Sequence, residues 1–474
     1  MDKNMYCNGE WIGADLDRIK VTNPATGEVI GSVPNGGKSE TKQAIAAANE
    51  AFKGWSKKTA NERASYLKKL YELVVNHSDE LAELITKEMG KPKQEAAGEV
   101  GYGASFIEWY AEEGKRVYGE TIPASHDNKR LHVWKQPVGV VAAITPWNFP
   151  AAMITRKVAP ALAAGCTVVL KPAEDTPLTA LRIAELVEEA GFPKGVFNIV
   201  TGAPDVIGTE LMENPIVKKV TFTGSTEVGK LLMRQAADNV KKLSLELGGH
   251  APFIILDDAD VDKAVQGVVA SKFRNAGQTC VCANRIYIQP KIYDAFIEKF
   301  NQEVDKLIVG DGSNDNVHIG PLINQSAYEK VDRHVQDALK QGAKLVTGGS
   351  GFEQEGAYFY KPTILKDVRD SMLIMNEETF GPVAPIQLIQ SDEEAVQLAN
   401  QTPYGLAAYV YSEGLSRGMK VVEALDYGIV GWNDGLPSVA QAPFGGMKES
   451  GLEREGGHHG IEPFLETKYV SIGL

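Results

Sequence analysis

From residue 138 onward, short apolar runs alternate with amphipathic helical stretches, and this rhythm limits what the chain can fold into. Residues 138–144 read as a strand ending in Thr145-Pro146-Trp147-Asn148-Phe149-Pro150. The helix after it puts Ile154, Val158 and Leu162 on one face at i, i+4 and i+8, with Arg156 off that face. Strands at 166–170, 196–200, 219–223 and 243–247 follow, separated by helices at 176–190, 204–213 and after 226. Such alternation predicts an α/β fold with a doubly wound parallel sheet, which binds ligands beyond the carboxyl ends of its strands. A ligand is therefore expected at the loops that start at Thr145, Lys171, Thr201 and Gly224.

Upstream, residues 38–117 carry apolar positions at three- and four-residue spacing and read as helical. A second α/β unit is expected over 248–444, with a helix at 258–273 that turns Val261, Val265, Val268 and Phe273 inward. The apolar tail 461–474 reads as a strand seeking a sheet. At 474 residues the chain is too long for one core, so two or three domains are expected. A net charge of −13 argues against nucleic acid or an anionic membrane as partner. It also obliges an anionic substrate to find a local cationic pocket. Four cysteines cannot build a disulfide framework, which points to a reducing, cytoplasmic setting. No apolar core of signal-peptide length opens the sequence, no apolar run of about 18 residues would span a membrane, and no spacing reads as a metal site.

Several short constellations carry chemistry. Cys280 and Cys282 hold two of the four thiols, after the polar, mobile-looking Gly277-Gln278-Thr279. That setting suits a presented nucleophile better than a packed thiol. Gly-x-Gly-x-x-Gly is absent, but Phe222-Thr223-Gly224-Ser225-Thr226 joins a strand to a helix start, where free N–H groups suit a pyrophosphate. A plain tight turn fits the same residues. Lys171 and Glu174 follow a neighbouring strand and suit ribose hydroxyls, or a solvated loop. Asn148, held between Trp147 and Phe149-Pro150, is an oxyanion donor or a residue serving its own turn. Glu246, flanked by leucines at a strand end, should be partly desolvated and raised toward a general-base pKa, with a paired structural glutamate as the alternative.

Taken together, these motifs resemble the aldehyde dehydrogenase superfamily. The match runs through the Asn148 turn, Lys171-Pro172, Phe222-Thr223-Gly224-Ser225, Glu246-Leu247-Gly248-Gly249, Gly277-Gln278-Thr279-Cys280, Glu377-Glu378-Thr379-Phe380-Gly381-Pro382 and Pro443-Phe444-Gly445-Gly446. They occur in family order and cover nearly the whole chain. Met153-Ile154-Thr155-Arg156-Lys157 and the stretch 273–284 resemble the bacterial succinate-semialdehyde dehydrogenases of GABA degradation.

The resemblance implies a cofactor domain over 1–117 and 137–247, a catalytic domain over 248–444, and a small β oligomerisation element from 118–136 and 445–474 of a homodimer or homotetramer. It implies Cys280 as nucleophile, Asn148 as oxyanion donor and Glu246 as the base that activates water. Trp147, Lys171, Glu174, Gly224, Ser225, Glu378 and Phe380 match cofactor contacts. Arg156 and Arg274 match the pair that holds the distal carboxylate of a small carboxylated aldehyde, with Ser438 as accompanying donor. A guanidinium suits a carboxylate through its planar pair of donors; a structural salt bridge is the alternative. Glutarate semialdehyde or a broader ω-oxo acid is the rival substrate. A CoA-acylating enzyme would not need Glu246, and intact Asn148, Glu246 and Cys280 argue against a silent binding protein. Glu174 stands where NADP-preferring relatives carry a small hydroxyl residue, so NAD is expected as cofactor, with NADP as the alternative. Cys282 matches the partner in a reversible disulfide with Cys280 in some relatives; a small buried neighbour is the other reading.

Overall fold

The computed structural model describes residues 1–354 and 356–474. Its first half is an α/β layer built as the alternation predicts. Five parallel strands run Lys242–Glu246, Val217–Thr223, Val140–Ile144, Thr167–Lys171 and Phe197–Ile199 across the sheet. A sixth, Gly451–Leu452, closes the first edge antiparallel to Lys242–Glu246. The strand order reverses at Val140–Ile144, and that switch lies beside the Asn148 turn. Residues 38–117 form four helices, Lys38–Trp55, Ala60–Asn76, Ser78–Met89 and Lys93–Glu113. Their starts and stops follow local chemistry. Thr59 and Glu62 make a reciprocal cap, the Thr59 hydroxyl accepting from Glu62 N–H and Glu62 accepting from Thr59 N–H at 2.7 Å. Gly90 ends the third helix in the left-handed conformation.

The helix Ala152–Ala164 departs from the expected two-faced pattern. All thirteen residues are buried, Arg156 and Lys157 included, because the helix is enclosed between the sheet and the helical layer. Arg156 thus leaves the apolar stripe without reaching water.

The second half holds a seven-stranded sheet in the order Lys344–Thr347, Thr363–Lys366, Val383–Leu388, Ala283–Ile288, Ala251–Ile255, Ala407–Tyr411, Ile429–Trp432. All neighbours are parallel except the first pair. The expected helix at 258–273 begins at Val261, because Asp260 turns its carboxylate onto the N–H groups of Asp262 and Lys263 as a cap.

The tail strand is Leu465–Gly473, and it pairs antiparallel with Lys129–Pro137 over nine residues. Glu120–Ile122 adds a third strand. Trp134 and Tyr469 on this small sheet are half or more exposed. No helix among the described residues is long and apolar enough to cross a membrane.

Candidate active site

Two cavities meet at Cys280. The larger, about 360 Å3, is lined by Trp147, Asn148, Gly224, Ser225, Glu378 and Phe380 among others. The smaller, about 60 Å3, is lined by Arg156, Arg274, Ser438, Tyr102, Phe149 and Phe444 among others. Cys280 and Met153 border both. Three of the five constellations expected from the sequence, the thiol, the Asn148 turn and the Gly224-Ser225 turn, thus meet at these cavities.

The larger cavity fits a dinucleotide by its backbone. Ser225 caps the helix Thr226–Ala236, its hydroxyl accepting from Val228 N–H at 3.3 Å, and that helix opens at the cavity wall. A Cβ on Gly224 would sit 2.3 Å from the tip of the Phe222 ring, so a larger residue here would have to displace that ring. Phe380 lies edge-on to Trp147, with ring centroids 5.7 Å apart. The Glu378 carboxylate accepts from Gly249 N–H at 3.1 Å. Desolvation pushes its pKa up to about 7. Lys171 and Glu174 form an ion pair at the next strand end but do not border this cavity. Burial pulls the Lys171 pKa down while Glu174 opposes it.

Asn148 is buried, and its side-chain amide donates to the Gln278 carbonyl at 3.0 Å, leaving the second N–H of the amide available. Cys280 follows a strained turn. Asn275, Ala276 and Gly277 all adopt left-handed φ angles of 54°, 54° and 73°. Gly277 has no alternative, since a Cβ there would meet the Gly381 carbonyl at 2.2 Å. Burial pushes the Cys280 thiol up to about 12; Arg156 pulls it down, and the Glu378 and Glu246 carboxylates add to the rise.

Glu246 borders neither cavity and is more deeply buried than the expected partial desolvation. Burial raises its pKa well above the carboxylate range, Glu455 adds to the rise, and Arg156, Lys157 and Arg454 oppose it. One carboxylate oxygen has no hydrogen-bond partner.

Arg156 combines the two readings open to it. Its Nε is ion-paired with Glu455, which also binds Lys157, and its guanidinium lies 4.0 Å over the Phe444 ring. Its Nη2 is buried with no partner, as is Arg274 Nε. Cys282 does not face the cavities. A turn with Cys282 N–H on the Thr279 carbonyl at 3.1 Å carries its sulfur to Lys272 Nζ, also at 3.1 Å. No group of three or more His, Cys, Asp or Glu among the described residues is arranged to hold a metal.

Glu455, Lys157 and Lys91 were not singled out in the sequence. Glu455 lies 299 residues from Arg156 along the chain, and no local pattern announces it. The available signal was Lys157 itself, a second cation beside Arg156 in a mostly apolar helix.

Residues 11–470 match the aldehyde dehydrogenase family. The chain belongs to that family. It is 58% identical to the NADP(+) succinate-semialdehyde dehydrogenase GabD of Escherichia coli strain K12, over 100% of this chain and 99% of that protein. It is 54% identical to a glutarate-semialdehyde dehydrogenase of Pseudomonas aeruginosa, over 99% and 97%. A crystal structure described as an E. coli NADP-dependent enzyme superposes with a TM-score of 0.98 at 56% identity, covering 100% of this chain and 98% of that one.

The raised Cys280 pKa has a measurable sign. The thiol stays protonated below its pKa, and only the thiolate reacts. Iodoacetamide inactivation of the cofactor-free protein should quicken about tenfold per unit from pH 7 to pH 9. A plateau below pH 8 would contradict the burial argument.

Proposed function

We propose that this chain oxidises succinate semialdehyde to succinate with NAD(P). One observation carries the substrate: beside the Cys280 thiol, Arg156 and Arg274 border one small cavity, and each keeps a buried guanidinium nitrogen without a partner. A buried unpaired guanidinium N–H is costly, and a carboxylate is the acceptor that suits it. The likeness to an enzyme named for succinate semialdehyde supports the same reading. The likeness to one named for glutarate semialdehyde keeps the five-carbon acid as the second reading.

The substrate carboxylate lies against Arg156, Arg274 and Ser438, and the aldehyde carbon faces Cys280. The thiolate forms the S–C bond as the carbonyl pair moves onto oxygen. The free N–H of the Asn148 amide and the Cys280 N–H hold that oxyanion. As the pair returns, the carbon gives up a hydride, which a nicotinamide cofactor held by Gly224, Ser225, Glu378 and Phe380 would accept. A thioester on Cys280 remains. Glu246 takes a proton from water, the water oxygen adds to the thioester carbon, and the C–S bond breaks to release succinate. The Glu246 carboxylate is separated from the cavity walls, so this step requires water or the side chain to bridge the gap.

The remaining assignments belong to the same reading. Gly224, Ser225, Trp147, Glu378 and Phe380 hold the cofactor, and Lys171 and Glu174 its ribose. The cofactor domain over 1–117 and 137–247 and the catalytic domain over 248–444 belong to this reading, with Gly451–Leu452 of the 445–474 stretch added to the cofactor sheet. The sheet of Glu120–Ile122, Lys129–Pro137 and Leu465–Gly473 joins subunits into a homodimer or homotetramer through its exposed Trp134 and Tyr469. The protein works in the cytoplasm, in keeping with four unpaired cysteines.

Three measurements test these points. NADH production should be much faster with succinate semialdehyde than with butyraldehyde, and Arg274→Ala should abolish that preference while leaving the butyraldehyde rate nearly unchanged. Equal rates on both aldehydes, unmoved by the substitution, would return the arginines to structural duty; a series of longer ω-oxo acids separates the four- from the five-carbon substrate. For the cofactor, a carboxylate at Glu174 repels a 2′-phosphate, so kcat/KM should favour NAD over NADP by tenfold or more. The NADP(+) in the name of the E. coli relative makes the opposite outcome informative, and it would remove Glu174 from the ribose. Lastly, peroxide should inactivate wild type in a thiol-reversible way, through a Cys280–Cys282 disulfide that needs the Thr279–Cys282 turn to unwind. Cys282→Ala should lose the reversibility; retaining it would exclude the pair.

A further inference from the structure

Asn148 is anchored by its main chain as well as by its amide. Its carbonyl accepts from two buried donors, Lys91 Nζ at 2.8 Å and Asn275 Nδ2 at 3.0 Å. Lys91 is fully enclosed, ion-paired with Glu99, and lies 3.8 Å over the Phe149 ring. The other oxygen of Glu99 accepts from the N–H groups of Ala151 and Ala152, at 2.8 and 3.2 Å, where the helix bearing Arg156 begins. From the opposite side, Asn275 opens the left-handed run before Cys280, and its own N–H is fixed on Glu95 at 2.8 Å. Asn275 and Asn148 amides share one acceptor, the Gln278 carbonyl. A single buried network therefore joins the Asn148 turn, the start of the Arg156 helix and the loop that presents the thiol.

We propose that Lys91 and Asn275 are positioning residues for the Asn148 amide, holding it at a fixed place relative to Cys280. The inference rests on the reading of Asn148 as oxyanion donor. The carbonyl of Asn148 belongs to the peptide plane that follows its Cα. With two donors on that oxygen, the plane cannot rotate without breaking both bonds, one of them to a charged group. Neither Lys91 nor Asn275 borders the larger cavity, so neither touches a bound cofactor there. Lys91 also borders no part of the smaller cavity. Their effect on the reaction passes through Asn148. An oxyanion donor displaced by about 1 Å is expected to cost on the order of a hundredfold in rate.

The test is a double-mutant cycle. Lys91→Met removes one donor. Asn275→Gly removes the other, and glycine adopts the required φ of 54° freely, so this variant keeps the test available if the lysine variant does not fold. Each is made in wild type and in Asn148→Ala, with kcat, KM for succinate semialdehyde and for butyraldehyde, and the cofactor Kd measured. In the wild-type background kcat should fall at least tenfold on both aldehydes by a common factor, with KM and cofactor Kd within about twofold. In the Asn148→Ala background the same substitutions should change kcat less than about twofold, because the group they act through is gone. An equal loss in both backgrounds, or a loss carried by KM or by cofactor Kd, would overturn the inference and make the network structural only. The wild-type rate reads separately on the proposed activity: a wild type that produces no NADH from any aldehyde fails that reading, whereas an active wild type with equal losses fails only this one.

Discussion

The site depends on one buried carboxylate facing two buried cations. Arg156 and Lys157 are adjacent on a helix with no exposed residue, and Glu455 binds both. Removing one member of such a group leaves an uncompensated charge, which costs about 3–5 kcal/mol in buried pairs. The pairing therefore fixes the C-terminal stretch against the cofactor half of the chain, since Glu455 also pairs by its backbone with Phe444. The Arg156 and Arg274 guanidinium groups border the smaller cavity beside Cys280, while burial pulls the Lys157 pKa down and Glu455 opposes that fall. A chain of net charge −13 thereby acquires a local field that draws an anion.

That field also divides labour between acids. Burial raises Glu246 and Cys280 and lifts Glu378 to about 7. Glu455, equally buried, is held below the ordinary carboxylate range by the two cations. It stays ionised and adds to the rise of Glu246. The pair thus follows a familiar logic in which two carboxyls in one region are pushed apart in pKa, one locked as a charge and one left to exchange protons.

Much of this was legible in the sequence. The alternation of short strands and helices pointed to the parallel sheet because a strand buried on both faces is mostly apolar, as Ala142, Val169 and Val220 are, with Lys219 and Thr221 as buried polar exceptions. Cys280, Asn148 and Gly224 were marked by their local settings, since tight turns and helix starts write themselves into adjacent residues, whereas Glu378 came only through the family resemblance. Arg156 was half legible. Periodicity showed it off the apolar stripe, but burial of the whole helix depends on layers packed from both sides. The Glu455 pairing and the Lys91–Asn148–Asn275 network were not legible, because each joins residues tens to hundreds of positions apart through single hydrogen bonds that impose no spacing.

The junction of the two cavities lets an occupant of either one act on the thiol. Cys280 and Met153 border both cavities, so charge entering either one acts on the thiol. A positive charge brought into the larger cavity lowers its pKa. A carboxylate entering the smaller cavity alone partly cancels the arginines and raises it. The electrostatics therefore favour activation of the thiol when the larger cavity fills first, with the aldehyde arriving at a nucleophile already prepared. Cys280 is itself part-exposed, so desolvation of its surroundings rather than a cover over the sulfur raises it to about 12. The filled and the empty site therefore differ in the charge that stands beside the thiol, and that charge sets how much of it is thiolate.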